Sequence, residues 1–156
     1  MKPQAGEMAP DFTAAVAGEG FGEQDTITLS ALRGRRVALV FYPKDDTPGC
    51  TTQACALRDG WADLSGLVDV FGVSVDDLKR HRRFIDKYAL PYPLIADPER
   101  SIVNAYGVWV EKSMYGKTYF GTERTTFLIG PDGRIEKVLE KVSPKDHLRL
   151  LTEALG

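Results

Sequence analysis

Val37-Ala38-Leu39-Val40-Phe41-Tyr42-Pro43-Lys44-Asp45-Asp46-Thr47-Pro48-Gly49-Cys50 runs from a short apolar segment rich in strand formers into a cysteine that opens a helical pattern. That order of residue types predicts a strand, a turn and a helix. Thr47 stands at the N-cap position and Pro48 at the first helical position, where its φ is preset and its missing donor costs nothing. Cys50 therefore falls in the first helical turn, close to backbone N–H groups with no partner inside the helix. At about 100° per residue, Cys50, Ala54, Leu57, Trp61 and Leu64 share one narrow stripe, so the thiol lies on the face that turns toward the core.

The only other cysteine is Cys55. Five residues along an unbroken helix amount to about 140° of rotation and about 7.5 Å of rise, which sets the two Cα atoms about 8 to 9 Å apart. A disulfide needs them within about 7 Å. If Cys50 and Cys55 pair, the first turns of the helix must unwind, giving a helical reduced form and an unwound oxidised form. A helix N-terminus stabilises a nearby anion by about 0.3 to 1 kcal/mol, at best about 2, and one pKa unit is about 1.4 kcal/mol. The dipole alone does not make a thiolate the major form at neutral pH, and Asp45 and Asp46 oppose it. A reactive thiolate here requires a cation from elsewhere in the fold; Arg58, about two turns along the helix, is too distant.

The pattern Pro43-x-x-x-Thr47-x-x-Cys50 resembles the active site of peroxiredoxins, thiol peroxidases that reduce hydroperoxides. The segment from Thr47 to Asp59, with Cys55 five residues after Cys50, resembles the peroxiredoxin Q type, also called bacterioferritin comigratory protein. The likeness continues through Ala9-Pro10-Asp11-Phe12, Pro93-Leu94-Ile95-Ala96-Asp97-Pro98, Ala105-Tyr106-Gly107-Val108-Trp109 and Arg124-Thr125-Thr126-Phe127-Leu128-Ile129. It implies a thioredoxin-like fold and a set of roles: Cys50 as the nucleophile that becomes a sulfenic acid, and Cys55 as the resolving thiol that closes an intramolecular disulfide. Thr47 would contact thiolate and peroxide, Pro43 would shield the pocket, and Arg124 would supply the missing positive charge. It further implies thioredoxin or a similar dithiol as reductant, no cofactor, and a chain that works as a monomer because both cysteines belong to it. Two alternatives stay open. A thioredoxin-like disulfide oxidoreductase is opposed by the absence of CxxC, and a redox-responsive binding or holdase module would expose an apolar surface such as Trp61 on unwinding.

The 156 residues, 43% hydrophobic with a net charge of −2, suit one globular domain over residues 1–156 with a sizeable core. Near-neutral charge gives no electrostatic case for nucleic acid or an anionic membrane. The basic run Lys79-Arg80-His81-Arg82-Arg83 reads as the solvated face of a helix whose apolar positions Leu78, Ile85 and Tyr88 or Ala89 face the core. The start of the chain has no run like a signal peptide, and no stretch approaches about 18 uninterrupted apolar residues, so the reading is a soluble, cytoplasmic chain. A metal site is disfavoured, because His81 and His147 stand far in sequence from the cysteines.

Periodicity predicts strands over 26–29, 37–42, 68–75, 125–130 and 134–142, and helices over 77–89, 99–106 and 146–154, with a tight hairpin at Asp132-Gly133. Strands alternating with helices call for a parallel core, and the terminal hairpin adds an antiparallel edge. The fold class is α/β, a mixed central sheet flanked by helices.

Overall fold

The computed structural model describes residues 1–156. Its elements in chain order are β1 (Thr13–Ala17), β2 (Thr26–Thr28), a 3-10 turn (Leu29–Leu32), β3 (Val37–Phe41), α1 (Pro48–Asp59), α2 (Trp61–Leu64), β4 (Asp69–Ser74) and α3 (Leu78–Tyr88). There follow β5 (Leu94–Ala96), α4 (Ser101–Ala105), β6 (Trp109–Met114), β7 (Lys117–Thr122), β8 (Thr125–Ile129), β9 (Ile135–Leu139) and α5 (His147–Leu155). Seven strands form one sheet in the order β2-β1-β5-β4-β3-β8-β9, and β6 and β7 pair as a separate hairpin. The centre β3-β4-β5 is parallel, and β1, β8 and β9 join it antiparallel, as expected of a mixed sheet.

β3 is buried at every residue, which is why its sequence reads as a continuous apolar run rather than an alternating one. Successive side chains still part to opposite faces. Val37, Leu39 and Phe41 pack with Phe71, Val73, Tyr106 and Phe127 on one side of the sheet. Ala38, Val40 and Tyr42 pack on the other with Leu57, Phe84, Leu151 and Cys50. The thiol thus belongs to the core layer between the sheet and helices α1, α3 and α5.

The structure corrects several readings. Short β1 and β5 were not anticipated, because five and three residues carry too little periodicity to stand out from loop. The β6–β7 hairpin was missed because most of its residues are exposed and no core-facing alternation marks it. α1 stops at Asp59 instead of continuing to Leu64, and Gly60 sits where an added Cβ would lie 3.0 Å from Leu148 Cδ2 of α5. The stripe nevertheless holds across the break, with Cys50, Ala54, Leu57 and Leu64 buried and Trp61 half-buried. In α3 the core face is His81 and Phe84; Leu78, Ile85 and Tyr88 are half-buried and Ala89 is exposed. His81 is therefore not part of a solvated basic face, although Lys79, Arg80 and Arg83 are.

Gly72 in β4 makes room for this layer. A Cβ there would come within 2.5 Å of Leu94 Cδ2 and 3.1 Å of Tyr42 Cε1. Gly72→Ala is expected to cost about 1 to 3 kcal/mol through overpacking, read as a lowered urea midpoint with an unchanged m-value. A midpoint equal to that of the parent would show that the Tyr42 ring is not confined there.

His147, at the start of α5, is fully buried and its Nε2 lies 2.7 Å from the Thr126 hydroxyl of β8. Burial, reinforced by the positive charge of Arg124, pushes its pKa down from 6.5 to about 4. The unfolded chain binds the proton more tightly, so the stabilisation is complete above pH about 6.5 and is lost as pH falls toward 4. Between pH 7 and pH 5 this single group should remove about 2 kcal/mol of unfolding free energy. His147→Gln, which keeps a polar partner for Thr126 and does not titrate, is expected to flatten that slope in urea titrations at the two pH values; an unchanged slope would assign the acid sensitivity elsewhere.

Candidate active site

Between β3 and α1 the chain turns through residues 43 to 47, and both acids of the turn face α3. Asp45 is buried; its carboxylate accepts from the Tyr42 hydroxyl at 2.5 Å and meets His81 Nδ1 at 2.6 Å, and its own N–H donates to Asp76 Oδ2 at 2.8 Å. Asp46 adopts a left-handed φ of 57°. Its carboxylate takes Lys87 Nζ at 2.8 Å and the Tyr88 hydroxyl at 2.7 Å, and these hydrogen bonds hold it below the usual carboxylate range. The two acids expected to oppose a thiolate each have a partner on α3, His81 for Asp45 and Lys87 for Asp46. Both carboxylates are engaged by partners on α3 or beside it.

Cys50 is the third residue of α1 and is only 2% exposed. Arg124 Nη1 lies 3.5 Å from its sulfur and donates to Gln53 Oε1 at 2.5 Å. One guanidinium nitrogen is thus shared between the thiol and a side chain one turn further along the same helix. Gly49 permits this approach, since a Cβ there would sit 3.1 Å from Arg124 Nη2 and 3.4 Å from Pro144 Cγ. Arg124 immediately precedes β8, and its carbonyl accepts from Val142 N–H at 2.9 Å. The strand start and the returning chain after β9 together fix its backbone.

Thr47 occupies the N-cap position, but its hydroxyl makes no cap bond; it donates to the Lys44 carbonyl at 2.9 Å. The first intrahelical bond runs from Thr51 N–H to Thr47 O, so the amides of Gly49 and Cys50 are left without an intrahelical acceptor at the positive end of α1. Pro43 is half-buried at the opening of the turn, whereas Phe41 is fully buried within the opposite core layer. Phe41 does not line the site. Sequence reasoning also missed Gln53, buried and bonded to Arg124, and Lys112 of β6. Burial, then Arg124, push the Lys112 ammonium down while Cys50 draws it back up, so the three groups share one field. The mark of Gln53 was its spacing of three from Cys50; nothing in the sequence marked Lys112.

Cys55 is half-buried, and both thiols are free, so the described form is the reduced, helical one. Arg58 donates to the Tyr88 carbonyl at 2.8 Å and to Asp59 at 3.0 Å. Among buried polar atoms, Gln53 Nε2, Thr122 Oγ1 and His147 Nδ1 have no partner within the protein. Gln53 is bonded to Arg124, Thr122 stands two residues before it, and His147 feels its charge. The small cavity beside the thiol is lined by Val40, Tyr42, Ala54, Phe84 and Tyr92, with Gln53 as its polar side chain. Asp45, Asp76 and His81 approach within 4.8 Å of one another, but their atoms already bond to Tyr42, Ser74 and Ile95.

Known proteins share this architecture. The family model of the AhpC/TSA family matches residues 5–138. Peroxiredoxin Bcp of Escherichia coli K12 is 42% identical over 145 residues, covering 92% of this chain and 90% of that protein. Peroxiredoxin Bcp of Bacillus subtilis 168 is 41% identical over 152 residues, covering 95% and 92%. Among solved structures, the Xanthomonas campestris bacterioferritin comigratory protein, studied for alkyl peroxide reduction, superposes with a TM-score of 0.83 at 32% identity, over 92% of this chain and 89% of that one. With a thioredoxin-like mixed sheet and a buried thiol beside a guanidinium at a helix start, the chain belongs to the AhpC/TSA family, among the peroxiredoxins of the Bcp kind.

Proposed function

We propose that this peroxidase reduces hydrogen peroxide and organic hydroperoxides at Cys50, with Cys55 as the resolving thiol and thioredoxin or a similar dithiol as reductant. The observation that carries the reading is Arg124 Nη1, held between Cys50 Sγ and Gln53 Oε1. A guanidinium stays charged at any physiological pH, and so it favours the thiolate, the form that attacks.

In the first step the Cys50 thiolate attacks the terminal oxygen of the hydroperoxide. An S–O bond forms, the O–O bond breaks, and the remaining oxygen leaves with the electron pair as alkoxide or hydroxide, which then takes a proton. Donors aimed at the developing charge lower the barrier. Arg124, the free amides of Gly49 and Cys50, and the Thr47 hydroxyl, once released from Lys44 O, are the donors at hand. Pro43 shields this pocket from bulk water. In the second step the Cys55 sulfur attacks the sulfenic sulfur, water leaves, and the disulfide forms. The external dithiol then reduces that bond by exchange. Residues 1–156 act as one domain and, with both cysteines in one chain, as a monomer. A reducing compartment such as the cytoplasm returns the enzyme to the free thiols seen here.

Peroxide turnover by Cys50→Ser should fall to background, whereas Cys55→Ser should consume one equivalent of peroxide and then stop with sulfenic acid on Cys50. Stopped-flow peroxide consumption with peptide mapping tests both; steady turnover by Cys50→Ser would refute the assignment. Arg124→Ala is expected to slow the first step by about 10²-fold or more, in line with loss of one donor to a developing charge. Its circular dichroism should match the parent, and an unaltered rate would remove Arg124 from the mechanism.

A further inference from the structure

The two acids that precede Cys50 have a role beyond avoiding the thiol. We propose that His81, acting through Asp45, and Tyr88, acting through Asp46, are positioning residues that keep the Cys50 turn folded on α3. By holding it, they set how often the Cys50 sulfenic acid is resolved by Cys55 rather than oxidised further. The inference rests on the Cys50–Cys55 reading above.

The segment that must rearrange is bracketed by contacts to a single helix. On its N-terminal side Asp45 is locked to His81 in the core. His81 Nε2 lies 2.9 Å from the Ile95 carbonyl, which can only accept, so the ring carries a hydrogen there. Its Nδ1 faces the Asp45 carboxylate, and the 2.6 Å contact requires a further shared proton. The pair is then net neutral and fully bonded, an arrangement that is stable buried and costly to separate. Next in sequence, Asp46 adopts a left-handed φ, which an aspartate tolerates, and its carboxylate is fixed by two contacts to α3. Lys87 and the Tyr88 hydroxyl are those contacts. On the C-terminal side Arg58 donates to the backbone carbonyl of the same Tyr88. Tyr88 therefore grips the chain on both sides of the two cysteines, through its hydroxyl at residue 46 and its carbonyl at residue 58.

Between those grips the reduced helix keeps Cys50 and Cys55 too far apart to bond. Resolution, in which Cys50–SOH and Cys55–SH give the disulfide and water, needs the helix start released. Over-oxidation, in which a second peroxide transfers its oxygen to the sulfenic acid, needs the site still folded around Cys50 and Arg124. Contacts found only in the folded turn slow the first process and leave the second nearly unchanged, so they shift the ratio of the two by the factor through which they stabilise the turn.

The test compares wild type with Asp46→Asn, Tyr88→Phe, the double variant and His81→Gln. Asn tolerates the left-handed conformation, so Asp46→Asn removes the charge without adding strain. The reduced proteins are mixed with hydrogen peroxide; sulfenic acid, disulfide and sulfinic acid are followed by rapid quench and intact mass. For Asp46→Asn and Tyr88→Phe the rate of disulfide formation should rise about two- to tenfold. The peroxide concentration giving half over-oxidation should rise in parallel, while the first oxidation step stays within about twofold of wild type. Asp46→Asn keeps an oxygen for the Tyr88 hydroxyl and loses the Lys87 ion pair, whereas Tyr88→Phe loses only the hydroxyl contact, so the double variant should exceed either single one, and His81→Gln, where it folds, should exceed both singles. A merely structural contact would lower the unfolding midpoint and leave the partition untouched, and that result in Asp46→Asn and Tyr88→Phe overturns the proposal. Wild type that forms no Cys50–Cys55 disulfide would instead overturn the resolving role of Cys55, and this inference with it.

Discussion

A helix start that is to carry a thiolate shortly after two consecutive carboxylates faces an electrostatic contradiction, and the arrangement of this molecule follows from its resolution. At about 4 Å two like charges repel by about 1 kcal/mol in water and several times that near a protein surface, comparable to all that a helix N-terminus offers an anion. The fold turns Asp45 and Asp46 away onto α3. It then brings Arg124 to Cys50 from 74 residues further along the chain. Neither move is possible without the sheet, since β3 delivers the turn and antiparallel β8 starts beside the end of β3, with Phe41 paired to Thr125. Register on these two strands therefore fixes the distance between sulfur and guanidinium.

Close backbone approach makes the arrangement compact. Gly49 lets Arg124 lie over the helix start, Gly72 lets the Tyr42 ring reach Asp45, and Gly60 lets the end of α1 rest on Leu148. Each is a place where a missing side chain admits a large one, so the polar network and the apolar core interlock rather than occupy separate regions. Tyr42 shows this directly, with its ring in the core and its hydroxyl on a buried carboxylate. Burial holds that phenol well above its ordinary range, with Asp45 adding to the effect.

What was legible in the sequence followed burial. β3, β4, β8 and α1 carry strong apolar patterns, and their limits were read to within a residue or two, apart from the end of α1 at Gly60. Cys50, Cys55, Thr47 and Pro43 stood out because they are adjacent in the chain, and Arg124 because the family resemblance reached that far. The remainder depends on contacts between distant segments. His81 lay within a basic run and read as solvated, because nothing local shows that a histidine will meet an aspartate 36 residues earlier. Lys112 sits in a hairpin of mostly exposed residues with no periodic signal. Thr47 was placed correctly at the N-cap, yet its hydroxyl chose the Lys44 carbonyl, a choice that residue type alone does not decide.

On the proposed Cys50–Cys55 chemistry the reduced state must satisfy two opposed requirements, and the distribution of contacts along α1 suits both. The first turn needs rigidity, because a sulfur, a guanidinium and a peroxide must meet within a fraction of an ångström. It also needs to be released, because the two thiols are held apart by the helix itself. A helix stabilised mainly by its own capping would resist unwinding wherever it was placed. This one has no side-chain cap at Thr47, and its start is held by side chains of other elements: Arg124 at Gln53, and Lys87 and Tyr88 at Asp46. Such external contacts would be lost together if the sulfur left its pocket, whereas the sheet and the buried layers behind α1 would keep their packing. The opening can thus remain local, at a cost far below that of global unfolding.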